Sequence, residues 1–270
     1  MTATDRIARF LFAFYMVAFF VYLFAPLVIM GAATFNTSRF PTVTPWQGTT
    51  LQWFNELWND RAMWQSVWTS MVIAFFVVLI ALPVGTAAAL ILTSLHARAR
   101  GFLYALMVSP LLTPGVVIGI ATLVLWRQLG VGGGVFLIVV AQASFIICYV
   151  MLMVAARLQR FDRTQEEAAL GLGASKVMVF RRILLPFLKP ALIAAAFLAI
   201  LQSVENYNTT LFVRGFDTPL TVFIATKVRT GLTPAVNALA LIMIAITVIG
   251  AIAYEVARRR QAAAAAQRAA

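Results

Sequence analysis

A chain of 270 residues that is 62% hydrophobic and 11% charged, with a mean hydropathy of +0.92, is excluded from the ordinary soluble domains, in which roughly a quarter of residues are charged. The formal net charge of +12 is expected first as cytoplasmic Lys and Arg under the positive-inside rule, and only then as a nucleic-acid surface. A single cysteine, Cys148, excludes an internal disulfide, and a single histidine, His96, excludes a multi-histidine metal site within the chain; both are read as structural.

Arg6 and Arg9 precede an apolar run over residues 10–33. It is too long for a signal-peptide core and has no small-residue cleavage site, so it is read as a first span entering from inside. Residues 34–65 are polar and aromatic, with Trp46, Trp53, Trp58 and Trp64. Tryptophans concentrate at membrane interfaces, which predicts an outer loop with a short interfacial helix; stacking on a sugar or base is the alternative. A second span over 66–95 contains Pro83 and Gly85, and a third over 101–126 carries Pro110, Pro114, Gly115 and Gly119. Those residues predict a kink or break, either lining a pathway or serving packing alone.

The run Gly130-Val-Gly-Gly-Gly134 is a tight outer turn; it follows no strand and lacks the Gly-Lys-Ser/Thr of a phosphate loop. A fourth span over 135–156, with Gln142 and Ser144 as polar interruptions, leads to a cytoplasmic loop over 157–189. A fifth span over 190–213, an outer loop with Arg214, Asp217, Pro219, Lys227 and Arg229, and a last span over 235–256 complete the chain before the alanine-rich tail, read as frayed. The expected organisation is therefore an N-terminal helix 1–33, an outer loop 34–65, a five-span core 66–257 and a cytoplasmic tail 258–270. Six spans place both termini inside. About fifteen of the 21 Lys and Arg then fall inside against six outside, as the positive-inside rule requires.

Two polar stretches stand out. In the first, residues 164–186, Thr164 with Glu167 fits a capping box that starts a helix with Glu166 and Glu167 at its positive end. Ala168, Ala169, Gly171 and Gly173 remove side-chain bulk, and either glycine can turn the chain. Ser175 can then cap a second short helix with Val177, Phe180 and Ile183/Leu184 on one face, before Pro186 and Pro190 interrupt it. The product is a helix-turn-helix bracket. The second stretch is Gln202-Ser-Val-Glu-Asn-Tyr-Asn-Thr-Thr210. Glu205 is the one acidic residue well inside a predicted span, which points to a pathway or to a buried partner in another subunit. Gln202, Glu205 and Asn206 are expected on one helical face, with Asn208 and Thr209 one turn outward and Tyr207 offering an aromatic face to a cationic or amine-bearing solute.

The order Glu167-Ala168-Ala169, three residues, Gly173, nine residues, Ile183, one residue, Leu185-Pro186 resembles the EAA signature of permease subunits of ABC importers, with every position filled. Glu166 to Ala169, Leu172-Gly173-Ala174-Ser175, Phe180-Arg181-Arg182 and Gly231-Leu-Thr-Pro-Ala-Val-Asn-Ala-Leu239 look closest to the spermidine/putrescine branch. That branch often has an acidic pair after a serine in the fifth span. Here Ser203-Val-Glu205-Asn206 keeps one acid, so a monoamine, amino acid derivative, opine or aminophosphonate stands beside a polyamine.

The resemblance implies an all-α type I ABC importer permease with six transmembrane helices in the bacterial inner membrane. It would pair with a second permease, two ATPase subunits, a periplasmic binding protein and membrane lipid, and with no nucleic acid. Glu166, Glu167, Ala168, Ala169, Gly173, Ala174, Ser175, Arg181, Leu185 and Pro186 would then couple the chain to an ATPase. The chain itself shows no Walker A loop, no metal-binding carboxylate pair and no nucleophile with a histidine base. It is expected to hold no cofactor, ATP and Mg being bound by the partners. Two rivals use the same residues differently. One is a proton-coupled secondary transporter working through Glu205; the other is a membrane-anchored helix-turn-helix regulator with Arg181 and Arg182 on DNA phosphates.

Overall fold

The computed structural model describes residues 3–95, 97–231 and 233–269; His96 lies outside them. The described residues are helical, with α1 (Ala3–Ala33), α2 (Gln52–Asn59), α3 (Arg61–Ser94), α4 (Ala97–Leu112), α5 (Gly115–Gln128), α6 (Val135–Leu158), α7 (Thr164–Gly171) and α8 (Lys176–Val179). A π-helical turn at Phe180–Leu184 leads to α9 (Leu185–Val204), α10 (Thr210–Val213), α11 (Leu220–Thr230) and α12 (Pro234–Ala269). The stretches Ile7–Ala33, Arg61–Ser94, Val135–Leu158 and Lys176–Val204 are each long and apolar enough to cross a membrane. A fifth such span results if the α4–α5 pair, bent by 99°, is counted as one, and Pro234–Gly250 is a shorter apolar stretch.

The chain forms two compact units, Met1–Arg61 with Thr226–Ala270, and Ala62–Ala225. This division differs from the expected segments, because α12 groups with the N-terminal residues. In the first unit α12 packs on α1 and α2. The 34–50 loop is organised by Asn36, fully buried. Its Nδ2 donates to the Thr42 and Pro45 carbonyls, and its Oδ1 accepts from Ser38 and Gln47. Trp53 is 5% exposed and its ring N–H donates to the Asn36 carbonyl at 2.7 Å. A tryptophan whose N–H finds a carbonyl can be buried.

The second unit is built on α3, α6 and α9, whose Val77, Ala81, Ile138, Ile146, Leu188 and Ala195 form a common core. Small residues set the spacing. A Cβ on Gly85 would lie 2.7 Å from Val150 and 2.9 Å from the Ile147 carbonyl, so α3 meets α6 only where a side chain is missing.

Several expectations change. α3 begins at Arg61, ahead of residue 66, and α11 fills part of the expected outer loop. The tail is not frayed: α12 continues to Ala269, as an alanine-rich segment of high helix propensity can. Pro186 and Pro190 do not interrupt the chain. Leu185 N–H reaches back to the Phe180 carbonyl, and this wide turn ahead of Pro186 makes room for a residue that has no N–H to give. The helical path therefore runs unbroken over Lys176–Val204.

Candidate functional site

The bracket is held by arginines. Arg163 donates to the Thr93 carbonyl at the end of α3 at 2.9 Å. Arg157, ending α6, donates to the Phe187 carbonyl at 3.2 Å and lies 4.1 Å from the centre of the Phe187 ring, which also meets Phe161. These contacts tie the start of α7 to the end of α3 and the end of α6 to the start of α9.

α7 begins at Thr164 as expected, but its cap is Asp162. The Asp162 Oδ1 accepts from the Thr164 hydroxyl at 2.8 Å and from the Thr164 N–H at 3.0 Å. The hydroxyl first, and then the N–H, hold the Asp162 carboxyl below its usual range. A depressed folded-state value means this cap is complete at neutral pH and is lost only as pH falls through that value. Asp162→Ala is expected to speed tryptic cleavage after Arg160 and Arg163 severalfold in inside-out vesicles. Asp162→Asn, which keeps an oxygen acceptor, should cleave at the original rate.

Gly173 makes the turn, with φ at +87°, whereas Gly171 stays helical. Ser175 Oγ caps α8 by accepting from Met178 N–H at 3.3 Å. The buried residue of α8 is Val179 and Val177 is 65% exposed, whereas Phe180, Ile183 and Leu184 are half-buried, so the expected face departs only at Val177. Glu167, Ala168, Gly173, Ser175, Arg181, Leu185 and Pro186 are exposed, and Glu166, Ala169 and Ala174 are half-buried. Leu172, 90% exposed at the tip, was quoted above only as part of the resemblance. Its signal is an apolar residue beside a glycine that turns.

The second stretch does not form the expected helical face. α9 ends at Val204, Glu205 occupies the capping position and the chain is irregular until α10 starts at Thr210. The cause is local: Asn206 Oδ1 accepts from Thr210 N–H at 3.3 Å and from its hydroxyl at 3.2 Å, replacing helical hydrogen bonds. Opposite this break lies the other one. Thr113 precedes Pro114 and so disfavours helix, and α4 and α5 diverge there.

Between the two breaks lies a cavity of about 380 Å³. Gln202, Glu205, Asn206, Tyr207, Asn208 and Thr209 all line it, with Pro110, Thr113, Gly115 and Tyr149 on the facing wall. Among the described residues, Glu205 is the charged member of that lining and no basic side chain belongs to it. Thr209 is fully buried and its hydroxyl has no hydrogen-bond partner among the described residues. Behind the wall, Gln142, 1% exposed, bridges the broken ends. It accepts from Ser203 at the end of α9 and donates to Thr210 at the start of α10. Cys148, also in α6, is buried and donates to the Met107 carbonyl.

The family "Binding-protein-dependent transport system inner membrane component" matches residues 81–262. The chain is 32% identical over 256 residues to the spermidine/putrescine transport system permease protein PotC of Escherichia coli (strain K12), covering 94% of this chain and 96% of the relative. It is 34% identical over 252 residues to the putrescine transport system permease protein PotI of the same organism, covering 90% and 89%. A crystal structure of a bacterial ABC transporter involved in the import of the acidic polysaccharide alginate shares its fold, with a TM-score of 0.74 and 15% identity over 94% of this chain and 98% of that one. The MetNI methionine ABC transporter, inward-facing, has a TM-score of 0.55 and 21% identity over 72% and 92%.

Proposed function

Because the chain belongs to the inner membrane components of binding-protein-dependent transport systems, we propose that it forms, with a second permease, the pathway for a small amine-bearing cation. A periplasmic binding protein delivers the solute to the outer loops 34–63 and 214–234, and two cytoplasmic ATPase subunits bind ATP and Mg and drive the cycle. The chain is a transport subunit of the inner membrane, and the permease reading takes precedence over the proton-coupled carrier and the DNA-binding regulator. Six spans with both termini cytoplasmic suit the fifteen-to-six division of basic residues. Of the fifteen, the side chains of Arg6, Arg98, Arg258, Arg259, Arg260 and Arg268 lie outside the described residues. Among the described residues, none in the most apolar 18-residue window of α1 is buried, which suits a helix bathed in lipid.

The observation that carries the solute class is the cavity at the two helix breaks, with one carboxylate, aromatic walls and no basic residue. A carboxylate with no basic side chain beside it in the lining attracts a cation, and Tyr149 and Tyr207 can add their ring faces. The names of the relatives at 32% and 34% identity support an amine. In the assembled importer, with Cys148→Ser and Asn208→Cys, butylamine is expected to protect the new thiol from a small alkylating reagent, and butanoate is not. Glu205→Gln should raise the half-protecting butylamine concentration at least about tenfold, the scale of one charge-assisted hydrogen bond. Equal protection by butanoate, or protection by butylamine unaltered in Glu205→Gln, would remove this reading.

A further inference from the structure

The four polar side chains behind the cavity form a single line whose direction is set by one backbone group. Thr210 N–H can only donate, so the atom of Asn206 facing it at 3.3 Å is the amide oxygen. The Thr210 hydroxyl lies 3.2 Å from that same oxygen and must donate to it. It is then left to accept, which orients Gln142 with Nε2 toward Thr210 at 2.8 Å. Gln142 Oε1 consequently faces Ser203, whose hydroxyl donates at 2.6 Å. Ser203, Gln142 and Thr210 are all at least 96% buried, so reversing any member would set two like groups together without water to separate them.

The line ends on the cavity. Asn206 lines it, with Oδ1 already accepting twice and its backbone carbonyl accepting from the Thr221 hydroxyl at 3.1 Å. The polar side-chain atom it has left for a solute is Nδ2, a donor. Next to it in the chain is Glu205, which can only accept when ionised.

We infer that Thr210, held in place by Gln142 from outside the cavity, fixes Asn206 as a hydrogen-bond donor through its own N–H, so that the site takes a solute with one ammonium group and one hydrogen-bond acceptor in preference to a diamine. The inference rests on Glu205 as the amine-recognising group. A second ammonium would meet the N–H groups of Asn206, like charge against like dipole, whereas a hydroxyl or carbonyl would be paired by them. Gln142 is a positioning residue: it touches no solute and acts through Thr210 and Asn206.

The test uses two solutes of one chain length, 4-amino-1-butanol and 1,4-diaminobutane, in the Asn208→Cys, Cys148→Ser importer without its soluble receptor. The amino alcohol is expected to half-protect the thiol at a concentration at least about tenfold below the diamine, the discrimination expected of one hydrogen bond satisfied against one opposed. Gln142→Leu should narrow that preference to less than about threefold. Ser203→Ala, a smaller change that frees Gln142 to turn over, should narrow it part-way and serves where Gln142→Leu fails to assemble. Asn206→Asp should reverse it in favour of the diamine. A diamine that protects better in the unaltered site, or a preference that survives in both relay variants, overturns the inference. If neither solute nor butylamine protects, the amine reading falls instead. The relay is then judged by the unprotected labelling rate, which Gln142→Leu and Ser203→Ala should raise; unchanged rates overturn it.

Discussion

Glu167→Arg is expected to abolish receptor-stimulated ATP hydrolysis by the assembled importer and to release the ATPase subunits during purification, while the permease still inserts. Glu167 sits in the first turn of α7 and is exposed, and its side chain makes no hydrogen bond or ion pair inside the chain among the described residues. Its replacement therefore costs the fold little. The bracket around it has the make-up of a docking surface. Leu172 is 90% exposed, Val177 65% and Met178 44%, on a segment too rigidly tied by Arg157 and Arg163 to tuck them away. An acidic residue at the positive end of a helix is stabilised there, and an arginine is not. Reversing a charge that becomes desolvated on docking costs about 2–5 kcal/mol, which is thirtyfold or more in affinity. Glu167→Gln should lose less, since it removes the charge without opposing it. The measurements are co-purification of the ATPase with the tagged permease, and ATP turnover with and without the loaded receptor. Normal coupling in Glu167→Arg would show that this surface does not dock.

How much of this was readable without coordinates depends on how far apart the interacting residues are. Gly173 and Ser175 act within a few residues, so the turn and the second cap follow from their chemistry. Pro114 likewise announces a break before any packing is known, although the 99° bend does not follow from it. Thr164 misled because its hydroxyl is spent as a donor to Asp162, and the Glu166 and Glu167 N–H groups it was expected to cap go to the Arg163 carbonyl. The end of α9 was hidden for a different reason. Residues 202–209 have helical spacing of polar groups, but the helix is lost to Asn206 and Thr210, and Gln142, 61 residues before Ser203 and 68 before Thr210, holds the ends together. Asn36 and Trp53 pair across 17 residues in the same way. The cavity residues were legible as polar groups in an apolar chain, because their cost in a membrane demands a reason. The wall behind them was not, because a lone glutamine in an apolar helix carries no local sign of its partners.

Gly119→Val is expected to abolish transport through the pathway wall itself. A Cβ on Gly119 would lie 2.7 Å from the Thr209 carbonyl oxygen and 3.4 Å from the Phe212 Cβ. The opposing atom is backbone, and it cannot retreat cheaply. Thr210, the next residue, is bonded to both Gln142 and Asn206, so moving Thr209 breaks buried hydrogen bonds. A branched side chain adds further overlap, and overpacking of this kind costs about 1–3 kcal/mol even where the neighbours relax. Gly115 is the internal control. Its Cβ would lie 2.8 Å from the Thr209 hydroxyl oxygen, a side-chain atom with no hydrogen bond to hold it among the described residues, and not from a backbone carbonyl. Gly115→Ala should therefore assemble and alter solute protection, whereas Gly119→Val should lower the thermal midpoint of the purified complex and leave no saturable protection of a thiol at residue 208. If Gly119→Val kept its midpoint and its solute protection while Gly115→Ala lost them, α5 would not be held against residues 209–212 as described, and the cavity would have to be closed by another part of the importer.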